Sequence, residues 1–231
     1  MAYDIVYFVK DTRANEELKY SLRSVEKNFK YRNIWFYGGC PEDLKPDKYK
    51  HINQIQPTKW ERVQNMIRST CHNKELSENF YLFNDDFFIM KPWEYETYYY
   101  KDLYWLIVKS EGKTEGLNGY SRRLRQSVKE LEDHGCDTRN YALHTPLLLN
   151  KKKVLKTLDT FPDCPMFRSL YGNLNNLGGT ERQDCKIITP TRKPDPNSPL
   201  LSTSDKSFRI GEIGKYIRSQ FKEPSRYEIN K

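Results

Sequence analysis

The sequence predicts an α/β fold in which a mostly parallel sheet is flanked by helices, with an elaborated C-terminal half. Three observations predict it. Residues 4–9 form an apolar, β-branched run that is typical of a buried first strand. Leu18, Leu22 and Val25 then recur at helical spacing, and a second apolar run follows at residues 33–37. This strand–helix–strand order predicts a βαβ unit, whose right-handed crossover makes the two strands parallel.

The alternation of strands and helices continues to residue 90. The pattern predicts a weaker strand at residues 51–55, a helix at 60–71, a strand at 80–83 and a further apolar run at 87–90. The strands are apolar throughout, which favours a parallel sheet that is covered on both faces.

The second half of the chain is less regular. An aromatic segment at residues 95–100 precedes a predicted strand at 103–108 and predicted helices at 120–134 and 150–160. Asn and Gly predict a loop at 170–180, prolines predict an extended segment at 189–204, and the last predicted helix covers 210–221. Because no repeat and no clear linker is present, we expect one domain over residues 1–231.

The composition limits the possible partners. The 231 residues include 39 Lys and Arg against 31 Asp and Glu, a net charge of +8. This excess favours phosphate-bearing partners. The sequence has no Walker loop, zinc-ligand spacing, Gly-x-Ser-x-Gly elbow or dinucleotide fingerprint, so nothing supports a P-loop NTPase, a zinc enzyme or an NAD enzyme.

Cysteine use and hydropathy bear on location. The odd number of cysteines and the absence of a Cys-x-x-Cys pair favour reduced thiols and a cytoplasmic protein; the five are Cys40, Cys71, Cys136, Cys164 and Cys185. No apolar run approaches the roughly 20 residues that span a bilayer. The first ten residues lack the pattern of a signal peptide.

Two carboxylates and an amide follow the predicted strand at 80–83. Asn84, Asp85 and Asp86 would therefore lie at the carboxyl edge of the sheet, where parallel sheets bind ligands. Burying adjacent carboxylates in so apolar a stretch is costly without a cation. Their hard oxygen atoms suit Mg²⁺ or Mn²⁺ that bridges to a diphosphate. The alternative is a simple turn, since Asn and Asp favour turns.

Other candidate residues allow two interpretations when taken alone. Asp11, Arg13 and Asn15 follow the first strand, in a position that either meets a nucleotide or caps the next helix. His144 lies between apolar residues ahead of Thr-Pro, where a hydrogen-bonded structural histidine is the simpler interpretation. Arg168 lies among apolar residues and is either a surface side chain or a phosphate ligand.

A basic segment lies outside these motifs. It either binds a polyanion or is a solvated helix face; its members are Arg122, Arg123, Arg125, Lys129 and the three lysines at 151–153.

Four sequence blocks, in this order, resemble the Stealth proteins, which include bacterial capsule sugar-phosphate transferases and the catalytic part of the lysosomal-enzyme N-acetylglucosamine-1-phosphotransferase. The first is the strand at 4–9 with the helix that contains Asn-Glu-Glu-Leu-Lys-Tyr-Ser-Leu-Arg-Ser. The second is Phe-Tyr-Leu-Phe-Asn-Asp-Asp at 80–86. The third is His144-Thr-Pro followed by Phe-Arg168, and the fourth is the ending Pro-Ser-Arg-Tyr-Glu at 224–228.

The resemblance implies a GT-A-like (Rossmann-like) nucleotide-sugar fold. It also implies transfer of a hexose-1-phosphate from a nucleotide-sugar donor to an acceptor hydroxyl. In this chain, Asp86 and Asp85 would bind Mn²⁺ or Mg²⁺, and Asn84 would contact the donor phosphate. His144 would match the family's essential histidine, a base for the acceptor hydroxyl, and Arg168 its essential arginine, a clamp on the phosphate.

Residues 1–110 would then form the nucleotide-sugar-binding half, and residues 111–231 the acceptor and catalytic half. A site of this kind can also break the anomeric carbon–oxygen bond and transfer the sugar alone. By resemblance the acceptor is a polysaccharide. The charge of +8 and the basic helix leave open a hydroxymethylated base in DNA, or a non-catalytic nucleic-acid-binding module.

Overall fold

The computed structural model describes residues 2–110, 118–163 and 166–229 of the chain, so Cys164 lies outside the described residues. The chain forms two compact units. The first comprises Met1–Tyr95, His144–Leu149 and Cys185–Lys231, and the second comprises Glu96–Leu143 and Asn150–Asp184. The division into a donor half and an acceptor half at residue 110 concerns function and stays a prediction.

A five-stranded sheet forms the centre of the first unit. Its strands are β1 (Asp4–Val9), β2 (Ile34–Gly38), β3 (Lys48–His51), β4 (Asn79–Phe83) and β7 (Leu147–Asn150), in the order β3-β2-β1-β4-β7. β1 pairs in parallel with β2 and β4, and β2 pairs in parallel with β3. The helices α1 (Glu16–Asn28) and α2 (Lys59–His72) connect these strands. The predicted α/β class, with a mostly parallel sheet flanked by helices, is confirmed.

Local sequence explains why these elements form. β1 and β2 are almost wholly buried, as their apolar runs predict. α1 covers the sheet with Leu18, Leu22 and Val25, which are fully buried. α2 begins at a capping box, in which Thr58 and Glu61 satisfy each other's backbone N–H groups.

A smaller sheet completes the first unit. β5 (Phe87–Ile89) pairs antiparallel with β10 (Leu200–Thr203), and β10 pairs in parallel with β9 (Lys186–Ile187). The predicted helix at 210–221 is present as α8 (Glu212–Gln220), and a further helix, α7 (Asp205–Ile210), precedes it and is separated from it at Gly211. They pack on β5, β9 and β10 through an apolar cluster of Phe88, Ile187, Leu201, Phe208, Ile213, Ile217 and Phe221.

The second unit is mainly helical. It contains α3 (Leu103–Ser110), α4 (Asn118–Asp133), α5 (Lys151–Thr160), α6 (Phe167–Leu174) and the short parallel pair β6 (Tyr98–Tyr99) and β8 (Thr180–Glu181). Its apolar cluster consists of Leu103, Ile107, Leu124, Val128, Leu131, Phe161 and Leu170. Across all described residues, no helix combines the length and apolarity needed to cross a membrane.

The predicted strand at 103–108 is wrong, because these residues form α3. Asp102 accepts a hydrogen bond from the backbone nitrogen of Trp105 at 2.7 Å, as at a helix N-terminus. Leu103 and Ile107, four residues apart, are the buried pair on this helix. A short apolar run does not distinguish a strand from a buried helix, and here tertiary packing selects the helix.

Two other boundaries differ from the prediction. The predicted strand at 51–55 is displaced, since β3 ends at His51 and Ile55 is 78% exposed. All four residues of β3 are exposed at the edge of the sheet, so apolar content was a poor guide to this strand. The predicted loop at 170–180 is wrong at its start, because α6 continues to Leu174.

Candidate functional site

The ends of two neighbouring strands define the candidate site. β1 and β4 run in parallel, with Tyr7 opposite Phe83, so the segments that follow them leave the same edge of the sheet. β2 and β3 lie on one side of β1, whereas β4 lies on the other. The strand order therefore reverses between β1 and β4, and parallel sheets bind ligands at such a reversal. Asn84, Asp85 and Asp86 follow β4 at this point.

Asn15 connects the two strand ends. Its Oδ1 accepts a hydrogen bond from the backbone nitrogen of Leu18 at 3.0 Å and so caps α1. Its Nδ2 donates to Asp85 Oδ2 at 2.8 Å. Asn15 is thus the helix cap that its position allowed, and it also holds a carboxylate of the site; a contact with a nucleotide stays a prediction.

The acidic segment is a turn with partly buried side chains. The backbone nitrogen of Phe87 donates to the carbonyl oxygen of Asn84 at 3.2 Å, which closes a four-residue turn between β4 and β5. Asn84 is exposed, whereas Asp85 and Asp86 are only partly accessible. Burial raises the pKa of the Asp85 carboxyl; the hydrogen bond from Asn15 opposes this shift, and the negative charge of Asp86 adds to it.

Only one of the two carboxylate oxygens of Asp86 accepts hydrogen bonds from the described residues. Its Oδ2 accepts hydrogen bonds from Lys186 Nζ at 3.0 Å and from Ser202 Oγ at 3.2 Å. Its Oδ1 is buried and has no hydrogen-bond partner among the described residues. Lys186 and Ser202 come close to Asp86 only through the pairing of β5, β10 and β9, so no local sequence pattern indicates them.

Glu17 is a further residue of this region that no sequence pattern indicated as part of the site. It accepts a hydrogen bond from Thr203 Oγ1 at 2.8 Å. Burial raises the pKa of Glu17 to about 7, and the charges of Asp85, Asp86 and Asp205 contribute to the shift. In the sequence Glu17 indicates only a favourable charge at the start of α1, so its position beside the acidic turn needed the structure.

His144 lies close to the last residue of the turn. Its ring meets the ring of Phe87 edge-on, with centroids 6.5 Å apart. Its backbone carbonyl accepts a hydrogen bond from Cys185 Sγ at 3.1 Å. The side chain is partly buried, just before β7. The structure therefore brings His144 into the same region of the first unit as Asp86.

The other predicted residues are Asp11 and Arg13, which follow β1, and Arg168, which belongs to the second unit. Arg13 is 88% exposed and pairs with Glu42 at 3.1 Å, a surface ion pair that contributes little to stability. Asp11 is exposed, and its backbone packs so closely on Gly39 that a Cβ there would lie 2.7 Å from Asp11 Cα. Arg168, in the second unit, donates from Nη1 to the carbonyl oxygen of Leu143 at 2.9 Å.

The oxygen atoms of the turn suit a divalent cation. The described residues contain no group of three or more His, Cys, Asp or Glu side chains that could hold a metal ion by themselves. However, Mg²⁺ at a nucleotide commonly takes only one or two carboxylates, with water and phosphate as its other ligands. The buried, unsatisfied Oδ1 of Asp86 is an acceptor that such a cation would satisfy.

Comparisons with known proteins give similar solved structures and no family. No protein-family model matches the chain, and no curated protein matches it. Similar solved structures include the galactosyltransferase LgtC in complex with donor and acceptor sugar analogs, at 13% identity and a TM-score of 0.41 over 80% of this chain and 75% of that one. An active-site mutant of LgtC is also similar, at 13% identity and a TM-score of 0.46 over 96% of this chain and 98% of that one.

A third similar structure is the glycosyltransferase GlyE of Streptococcus pneumoniae TIGR4, at 11% identity and a TM-score of 0.35 over 96% of this chain and 50% of that one.

Proposed function

We propose that the chain is a metal-dependent transferase with a GT-A-like fold that takes a group from a nucleotide-sugar donor. It moves a glycosyl or a hexose-1-phosphate group to an acceptor hydroxyl, with a polysaccharide as the acceptor. The observation that carries this proposal is the acidic turn at the strand-order reversal, where Asn15 holds Asp85 and Asp86 keeps one buried oxygen unsatisfied. The sequence resemblance to the Stealth proteins supports the same donor.

Metal and donor would bind at the turn. Mn²⁺ or Mg²⁺, held by Asp86 Oδ1 and the carboxylate of Asp85, would neutralise the charge of the donor diphosphate. Asn15 would keep Asp85 oriented through its 2.8 Å hydrogen bond. The exposed amide of Asn84 would contact a donor phosphate. Asp11 and Arg13, in the loop after β1, would contact the nucleotide.

The acceptor chemistry is assigned by resemblance to His144 and Arg168. His144 would accept the proton of the acceptor hydroxyl, and its position near Phe87 supports this role. Arg168 would bind a phosphate oxygen through its guanidinium group. Residues 1–110 would supply most donor contacts, and residues 111–231 would supply the acceptor side.

A panel of nucleotide sugars, incubated with the protein and Mn²⁺, tests the proposal. Release of a nucleoside monophosphate indicates transfer of a sugar-1-phosphate, and release of a nucleoside diphosphate indicates transfer of the sugar alone. We expect Asp86→Asn to slow release on the order of a hundredfold. The exposed carboxyl of Asp163 provides the matched control, Asp163→Asn, with a normal rate. Normal turnover by Asp86→Asn would contradict the proposal.

A DNA acceptor is the second candidate. The observation in its favour is α4, which buries Leu124 and exposes Arg122, Arg123 and Arg125 to solvent. If the acceptor is a hydroxymethylated base, duplex DNA should bind with an affinity that falls steeply as salt rises, because phosphate contacts release counterions. Weak or salt-independent binding would count against it. DNA binding without nucleotide release from any donor would indicate a non-catalytic binding module.

A further inference from the structure

The pairing of three strands places a lysine on the carboxylate of Asp86. Ser202 of β10 lies opposite Phe87 of β5 on one side and opposite Lys186 of β9 on the other. Phe87, Ser202 and Lys186 therefore lie in a row across this small sheet, and Asp86 directly precedes Phe87. Lys186 Nζ reaches Asp86 Oδ2 at 3.0 Å, and Ser202 Oγ reaches the same oxygen at 3.2 Å.

This ion pair is largely withdrawn from solvent. The side chain of Lys186 is 22% exposed and that of Asp86 is 14% exposed. At such burial a carboxylate needs a compensating positive charge, because its own desolvation is costly. Lys186 supplies that charge on Oδ2, whereas Oδ1 accepts nothing from the described residues. The carboxylate is therefore neutralised by the protein, and its buried Oδ1 stays unsatisfied among the described residues.

We propose that Lys186 is an internal counter-cation that competes with a divalent cation for Asp86. The ammonium group stabilises the carboxylate when no metal is bound, and its positive charge lowers the affinity of the turn for the metal alone. The donor diphosphate then adds the negative charge that favours metal binding, so metal and donor bind together. This inference rests on the metal site of the proposed function.

The competition between Lys186 and the metal is tested by titrating the protein with Mn²⁺ alone. Electron paramagnetic resonance measures the unbound ion at each step. The variant Lys186→Met lacks the positive charge of the ammonium group beside the metal site. It should therefore bind Mn²⁺ on the order of tenfold more tightly than the wild type does. Lys186→Arg keeps the charge and should bind Mn²⁺ like the wild type. Lys206 is an exposed lysine on α7, and Lys206→Met should also leave Mn²⁺ affinity unchanged.

Thermal unfolding provides a second readout. Without metal, Lys186→Met should melt below the wild type, because Asp86 has lost its counter-charge. Mn²⁺ should then raise the Tm of Lys186→Met more than that of the wild type, since a ligand that binds more tightly stabilises the native state more. In an Asp86→Asn background, the Lys186→Met change should no longer alter Mn²⁺ affinity. If Lys186→Met is recovered unfolded, refolding it with Mn²⁺ should restore it.

The inference would be overturned if Lys186→Met bound Mn²⁺ no more tightly than the wild type. It would also be overturned if Lys186→Met raised the Mn²⁺ affinity equally in the Asp86→Asn background, or if Mn²⁺ failed to refold an unfolded Lys186→Met protein. The donor panel separates this inference from the proposed function. Nucleotide release by the wild type without a gain in Mn²⁺ affinity on Lys186→Met leaves the function standing and removes the inference. A gain in Mn²⁺ affinity on Lys186→Met, with no nucleotide release by the wild type, leaves the inference standing and removes the proposed function.

Discussion

At the scale of single residues, the site depends on side chains with two partners each. Asn15 caps α1 with one atom of its amide and holds Asp85 with the other. Asp86 offers one oxygen to Lys186 and leaves the other unsatisfied. Such shared groups tie the position of the carboxylates to elements that the helix and the small sheet already fix. The turn is therefore preorganised without a ligand.

Asn15 allows its two roles to be tested separately. Ser caps a helix about as well as Asn does, so Asn15→Ser should change the free energy of unfolding by less than about 0.5 kcal/mol. The variant loses the donor to Asp85, and we expect nucleotide release to slow at least several-fold. Asn15→Ala loses both roles and should also destabilise the protein by about 1 kcal/mol. Thermal unfolding and the donor panel measure the two effects; equal turnover by Asn15→Ser and the wild type would show that the Asp85 contact is not needed.

The site residues that could be predicted from the sequence are those that a local sequence pattern indicates. Asn84, Asp85 and Asp86 directly follow an apolar strand, and strand ends are readable from periodicity. Lys186 and Glu17 lie 100 and 69 residues from Asp86 in the chain. Only the pairing of strands and the packing of α1 bring them together. One sequence contains no local signal for that proximity.

At the scale of elements, the same residue types occur in different secondary structures, depending on what packs around them. Gly172, Asn173 and Asn175 suggested a loop, yet they lie on or next to α6. Asn173 Nδ2 donates to the carbonyl oxygen of Ser169, so the amide is used inside the helix. A Cβ on Gly172 would lie 2.3 Å from the ring of Tyr141. This glycine is thus required for close packing and does not mark a turn.

Gly172→Ala should consequently destabilise the protein although alanine favours helices. The ring of Tyr141 must move to admit the methyl group, and such overpacking costs roughly 1–3 kcal/mol. Gly119 of α4 is the matched control, because a Cβ there meets no atom within 4 Å. Gly119→Ala should leave the free energy of unfolding unchanged or slightly higher. Chemical denaturation of both variants measures the difference, and equal stability would refute the packing argument.

At the scale of the whole molecule, ion pairs join separate segments of the first unit. Arg23 of α1 binds Glu228 through two hydrogen bonds of 2.7 and 2.6 Å, which ties the C-terminal segment to the first helix. The first and fourth blocks of the family resemblance therefore meet at this pair. Asp4, at the start of β1, accepts two hydrogen bonds from Arg32 at 2.8 and 2.6 Å.

Stability against acid should depend on Asp4. Burial alone would raise the pKa of this carboxyl, but hydrogen bonds from Arg32, the Ser77 backbone and Asn33 outweigh it and hold the pKa below the ordinary value of 3.8. Because the unfolded chain binds the proton more readily, the contribution of Asp4 is complete above the ordinary pKa. It is lost as the pH falls through the lower native pKa. Above pH 5, Asp4→Asn should cost on the order of 1–2 kcal/mol, because hydrogen bonds to a charged acceptor are replaced by weaker ones to a neutral amide.

The difference in unfolding free energy between the wild type and Asp4→Asn should therefore shrink as the pH falls below 3.8. Other titrating groups cancel in this difference, including Glu17, whose pKa is shifted in the opposite direction. The exposed carboxyl of Glu223 gives the control, and Glu223→Gln should track the wild type at every pH. Urea unfolding between pH 2 and pH 7 measures all three proteins. A difference that stayed constant over this range would show that the carboxylate charge of Asp4 contributes nothing to the stability of the fold.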